Sequence, residues 1–171
     1  IPTYFSKTGW FNIYQTLIEE HNIPFYPRGF PWSKRFIDYE EELRNKKFQV
    51  CCVNGLVMND PDIDAISRLF YPIKVLEMKN DVPMQFGVYP GTWTSFNNQN
   101  TIIPRYMIPI YFTPPSAGRN SDIWTSFLIC KLAEHMKEVL AFGKPLVKQL
   151  RNPHDLWDDL DLENQNNRLT D

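Results

Sequence analysis

The chain has 171 residues, 43% of them hydrophobic and 22% charged, enough apolar mass for the core of one ordinary domain. A net charge of −2, with no long basic run, argues against a surface that tracks phosphate backbones, so nucleic-acid binding is not expected. No apolar run approaches the roughly 20 residues that span a bilayer, and no signal-peptide pattern opens the chain.

In chain order, GWFNIYQTLIEEHNIP places Phe11, Tyr14, Leu17 and Ile18 at helical spacing before Pro24, which predicts a helix. FYPRGFPW reads as a rigid, extended loop. DYEEELRNKK reads as a solvated helix, and FQVCCVNGLVM as a short buried strand. DPDIDAISRLF follows, with Pro61 in a first helical turn, Asp62 at the cap, and a stripe of Ile63, Ile66, Leu69 and Phe70. MQFGVYPGTWTSFNNQNTIIP is rich in turns and ends in a short strand, and RYMIPIYFTPP is extended. SDIWTSFLICKLAEHMKEVLAFG is the clearest helix. It starts at Ser121 or Asp122, turns Ile123, Phe127, Leu128, Leu132 and Met136 to the core, and stops at Gly143. KPLVKQL is a short strand, and DLWDDLDLENQNN an acidic helix fading into a polar tail over 164–171. Short strands mixed with helices, without internal repeats, define an α/β domain over 1–163.

Asp60, Asp62 and Asp64 stand at alternate positions just after the apolar run, a spacing that also occurs in metal-binding Asp-x-Asp pairs. Pro61 and the apolar stripe favour a capped helix instead. Cys51, Cys52 and Cys130 include an adjacent pair and form an odd set, so they read as buried free thiols rather than a disulfide framework. No Cys/His spacing resembles a zinc site, and there is no nucleophile motif or phosphate-cradling glycine loop. The aromatic content, 15%, suits sugar-stacking surfaces as well as a plain core. The chain opens on Ile1 without an initiator Met, as a piece of a longer protein would.

FYPRGFPW, VNGLVMNDPDIDAISRL, FNNQNT, RNSDIW and VKQLRNPHDLWDDLDLE occur in that order. Together they resemble the glycosyltransferase-like domain of the STELLO proteins and, more distantly, the reversibly glycosylated polypeptides, which are UDP-arabinopyranose mutases. The resemblance runs from about residue 9 to about residue 163. It implies the C-terminal part of a GT-A-like nucleotide-diphosphosugar transferase fold, a mixed sheet flanked by helices, with a nucleotide-binding half upstream. The implied activity is metal-assisted transfer of a sugar from a nucleotide sugar, such as a UDP-sugar, to a glycan acceptor. The alternative is a non-catalytic glycan-binding or scaffold protein working with glycan-synthesis enzymes. The resemblance also implies the Golgi lumen if an upstream segment anchors the chain, and the cytoplasm otherwise.

Within that resemblance, Asp122 is the candidate general base for an acceptor hydroxyl, with a plain helix cap as the competing role. His154 is the candidate ligand of a Mn or Mg ion, or else it bonds a local backbone group. Arg28 is a candidate for neutralising a diphosphate, or for bridging to a carboxylate that pins its loop. Arg119 is a candidate for pairing with the diphosphate or holding Asp122 ionised, or else it is a surface arginine in a loop. Gly29 permits a positive φ or a close backbone approach. Gly91 and Trp93 resemble an acceptor loop. Trp124 either stacks on a sugar or fills the core. Asn97, Asn98, Gln99 and Asn100 offer amides for hydroxyl recognition, or they satisfy a turn.

Overall fold

The computed structural model describes residues 1–37, 40–113 and 115–170. It is an α/β domain built on a mixed sheet flanked by helices. The strands are β1 (Thr3–Ser6), β2 (Leu17–Glu19), β3 (Glu41–Arg44), β4 (Val50–Asn59), β5 (Val75–Met78), β6 (Gln85–Val88), β7 (Thr101–Ile102) and β8 (Val139–Gln149). The helices are α1 (Ala65–Phe70), α2 (Ser121–Met136) and α3 (Leu156–Thr170). The sheet runs β2-β5-β4-β8-β6-β1-β3, with β7 paired to β4 off that path. At its centre β4 and β8 run parallel, and β1 and β6 form the other parallel pair.

The apolar run 48–58 forms β4 as expected, and a parallel strand buried on both faces needs such a run. Its partner β8 begins at Val139 and carries Gly143 in its interior, so Gly143 does not stop α2. Lys137 stops it, in a left-handed conformation with φ 57°, and the Glu138 amide closes back on the Ala133 carbonyl at 2.9 Å. Asp122 stands in the first turn of α2, as expected. The buried face differs from the expected stripe. Ile123, Phe127, Ile129, Cys130 and Ala133 turn inward, whereas Leu128 and Met136 are exposed. All three cysteines are buried and free, and burial pushes their thiols up to about 12.

Four expectations fail for identifiable reasons. Residues 9–24 form a single 3-10 turn, Ile13–Thr16, followed by β2. Phe11, Asn12, Ile13 and Tyr14 are buried in succession, which no helix with one solvated face allows. The charged segment expected as a helix contains edge strand β3, paired antiparallel with β1; Asp38 and Tyr39 lie outside the described residues. Arg44 of β3 lies over the Phe5 ring at 3.8 Å, and charges along an edge strand block further pairing. The expected extended stretch 105–115 contains a 3-10 turn, Arg105–Met107, and Pro114 lies outside the described residues. The expected polar tail is the second half of α3, which is helical to Thr170; Asp171 lies outside the described residues.

The core gathers Phe11, Phe86, Phe96 and Phe142 with Ile129 and Cys130 of α2. Phe86 and Phe142 stack across β6 and β8 with centroids 5.6 Å apart, and both rings are fully buried. Phe142→Ala should therefore cost about 3–5 kcal/mol of stability. Urea unfolding checks this: the midpoint falls while the slope stays unchanged.

Candidate functional site

Two features stand out between the sheet and α3: a buried chain of arginines and carboxylates, and a cleft walled by tryptophans. The first answers the question raised by the alternating aspartates. Each of the three takes an arginine. Asp60 pairs with Arg68 at 2.5 Å, Asp62 with Arg28 and Arg151 at 3.0 and 2.7 Å, and Asp64 with Arg35 at 2.5 Å. Asp64, not Asp62, caps α1, its side chain accepting the Ser67 amide at 2.8 Å. Pro61 precedes the helix, Ile63 is fully buried ahead of it, and Phe70 is largely exposed.

Arg28 is the hub. Its Nε donates to Asp62, and its Nη2 donates to both oxygens of Asp122 at 3.0 and 2.8 Å. Its Nη1 donates to the Asn120 side chain and the Arg119 carbonyl. Gly29 makes this reach possible. Its φ is +80°, and a Cβ there would sit 2.2 Å from Ile123 Cγ2, so the loop lies against the start of α2 only because the residue is glycine. Burial opposes the Arg28 charge, but Asp62 and Asp122 outweigh it and raise the pKa. Burial also opposes the Asp62 charge. Arg28 and Arg151 together overcome it and hold the carboxyl at about 2. Asp122 moves the other way: burial raises it, and the nearby Asp62 charge offsets part of what its share of Arg28 gives back.

The other candidates are placed as follows. Arg119 pairs with Asp159 at 3.0 Å and with the fully buried Glu163 at 2.6 Å, so it ties α2 to α3. Glu163 in turn accepts the Ala65 amide at 2.8 Å, which fixes α3 to α1. Asn97 accepts the Gln99 amide, and its carbonyl takes Asn54 and Thr101. The Asn100 carbonyl takes the Gly55 amide at 2.8 Å, and the Asn100 amide nitrogen fills the space a Gly55 side chain would need. These amides hold a turn against β4, and none of them lines the tryptophan cleft.

His154 lines a separate cavity with Arg151 and Asp60, and Asp122 does not line it. His154 lies 3.9 Å from Asp159, a carboxylate already held by Arg119. Among the described residues no group of three or more His, Cys, Asp or Glu is placed to hold a metal ion. The donor set at His154, an imidazole beside a carboxylate that Arg119 already holds, does not fit a divalent cation.

The cleft has a volume of about 550 Å³ and is walled by Trp10, Trp93, Trp124 and Phe127. Two glycine turns set it up. Gly9 (φ +78°) precedes Trp10, and Gly91 (φ +89°) leads into Trp93. The two turns are zipped by hydrogen bonds from Trp93 N to Gly9 O and from Phe11 N to Trp93 O, each 2.8 Å. The indoles of Trp10 and Trp93 come to lie 6.0 Å apart. Phe127 of α2 meets Trp10 and Trp124 edge-on at 5.8 and 5.7 Å. Trp124 Nε1 donates to Asn166 of α3 at 2.9 Å, so the supposed tail completes the cleft. Gly91 is exposed and does not line it. Trp10 was missed by sequence reading, although like Trp93 it closely follows a glycine, in TGW and PGTW.

The chain matches no protein-family model and no curated protein.

Replacing the hub should expose its role. Arg28→Met leaves Asp62 and Asp122 short of a partner and should cost about 3–5 kcal/mol, measured by chemical unfolding at neutral pH. Asp62 adds a pH signature. Its folded pKa, about 2, lies below the ordinary 3.8, so its stabilising contribution is complete above 3.8 and vanishes as pH falls through 2. Asp62→Asn should abolish that part of the acid dependence between pH 4 and 2, about 2 kcal/mol.

Proposed function

We propose that this is a glycosyltransferase-like, carbohydrate-binding domain that takes a glycan in the cleft between Trp10, Trp93 and Trp124. The observation that carries the reading is three half-buried indoles, from three separate segments, converging on one open cavity of about 550 Å³. A protein that needed only apolar mass would bury these rings. Held half-open and fixed by their own contacts, they present flat faces to the C–H faces of pyranose rings, at little entropic cost on binding. The cavity volume lies in the range of small-molecule sites. The ordered motifs that resemble those of STELLO-like and reversibly glycosylated proteins favour a carbohydrate ligand, and the mixed sheet flanked by helices is of the general α/β class that this reading calls for.

A transferase reading of the same domain rests on Asp122, whose carboxyl is held above its usual range and opens the helix that carries Trp124. A carboxylate of raised pKa is a better proton acceptor. Against this, both its oxygens are occupied by Arg28. Binding is therefore the primary assignment, and proton transfer by Asp122 the secondary one.

The two readings separate in one set of titrations. Calorimetry against a panel of neutral and acidic oligosaccharides should show saturable binding. Trp93→Ala should weaken it at least about tenfold, or 1.4 kcal/mol, with an unchanged circular-dichroism spectrum. Asp122→Asn should leave glycan affinity within about twofold. If transfer from a nucleotide sugar is detected, the same variant should abolish it. Unchanged glycan affinity in Trp93→Ala would remove the cleft from the function.

A further inference from the structure

The arginine–carboxylate chain has a direction. Arg68, Asp60, Arg151, Asp62, Arg28 and Asp122 touch in that order, alternating in sign. Such a chain ends in an anion on one side and a cation on the other. The cationic end opens on a second cavity, of about 420 Å³, lined by Arg68, Arg151, Asn152 and His154, with Asp60 the one carboxylate among its lining residues. Arg68 and Arg151 converge on the same oxygen, Asp60 Oδ1, at 2.5 and 3.5 Å, so one carboxylate oxygen faces two guanidinium groups.

Unsatisfied polar atoms gather at the same place. Among the described residues six buried side-chain polar atoms lack a hydrogen-bond partner, and the two nitrogens among them are Arg68 Nε and Arg151 Nε, the latter in ionic contact with Asp60 Oδ1 at 3.5 Å. Buried donors left unmade are costly, and folded proteins keep few of them. Each guanidinium has five N–H groups, more than Asp60, Asp62 and the Pro61 carbonyl take up, and phosphate matches their forked geometry. The rest of the lining is largely apolar and includes Tyr71, Pro72, Ile73 and Leu156. An anion alone would leave that lining and most of the volume unused.

We propose that this cavity binds a phosphate monoester, its phosphate held by Arg68, Arg151 and His154 and its organic group against Tyr71 and Ile73. The site is separate from the tryptophan cleft and does not depend on the carbohydrate assignment.

The test is calorimetric titration of the intact chain with phenyl phosphate, inorganic phosphate and phenol. Phenyl phosphate should bind with one-to-one stoichiometry, several-fold more tightly than inorganic phosphate, and phenol should give no saturable heat. Arg68→Gln should weaken phenyl phosphate about tenfold or more. His154→Gln, at a side chain 39% exposed, should weaken it several-fold without lowering Tm. If Arg68→Gln does not fold, His154→Gln decides alone. Trp93→Ala should leave phosphate affinity unchanged. Absence of saturable binding by phenyl phosphate, equal affinity for inorganic phosphate, or wild-type affinity in His154→Gln would each overturn the proposal.

Discussion

The grip of Arg28 on two carboxylates from distant parts of the chain is the interaction on which the arrangement of the domain depends. Asp62 follows the central strand β4, and Asp122 opens helix α2. One guanidinium therefore ties the sheet to the helix that carries the wall of the cleft. The pair is nearly dry, with side-chain exposures of 7%, 5% and 13%. In such surroundings the net gain of an ion pair is modest, but the loss of one partner strands a buried charge. Its contribution is to specify geometry: α2 has one position in which Arg28, Asp62 and Asp122 are all satisfied.

The same logic extends outward. Arg119 and Glu163 carry the connection from α2 to α3, and the Glu163 bond to the Ala65 amide carries it to α1. Trp124 then reaches Asn166 on α3. The cleft is thus a surface product of a buried electrostatic frame. It is held by that frame, by two glycine turns, and by the apolar core, against which Trp93 packs and where Trp10 meets the buried Phe30. A preformed aromatic surface loses little freedom on meeting a ligand, which suits recognition of weakly interacting sugar faces.

Much of this was visible in the residues. The apolar run of β4, the start of α2, the buried thiols and the glycine-permitted approach at Gly29 follow from local pattern. The sequence marks Trp124 for stacking or for the core and Trp93 for an acceptor loop, and the two share a cavity. Trp10 was not marked, because its partner lies 83 positions away and only the isolated bridge between the two turns joins them. The alternating aspartates were recognised as a helix approach rather than a metal motif. The cap nevertheless falls on Asp64, since Asp62 is drawn away by two arginines that no local rule connects to it. For the amide cluster the structure favours the turn over hydroxyl recognition, and Arg119 is spent on Asp159 and Glu163.

By itself the sequence determined the α/β class, the central strand, the long helix and the supply of aromatic and charged groups, because these depend on composition and on contacts a few residues apart. Only the tertiary structure decided where the charges were used up. Whether an arginine is free for a diphosphate or spent on a buried aspartate depends on pairings 34 and 94 residues apart. The edge strand β3 and the buried turn before β2 were settled in the same way, by strand partners and burial that outweigh local helical preference.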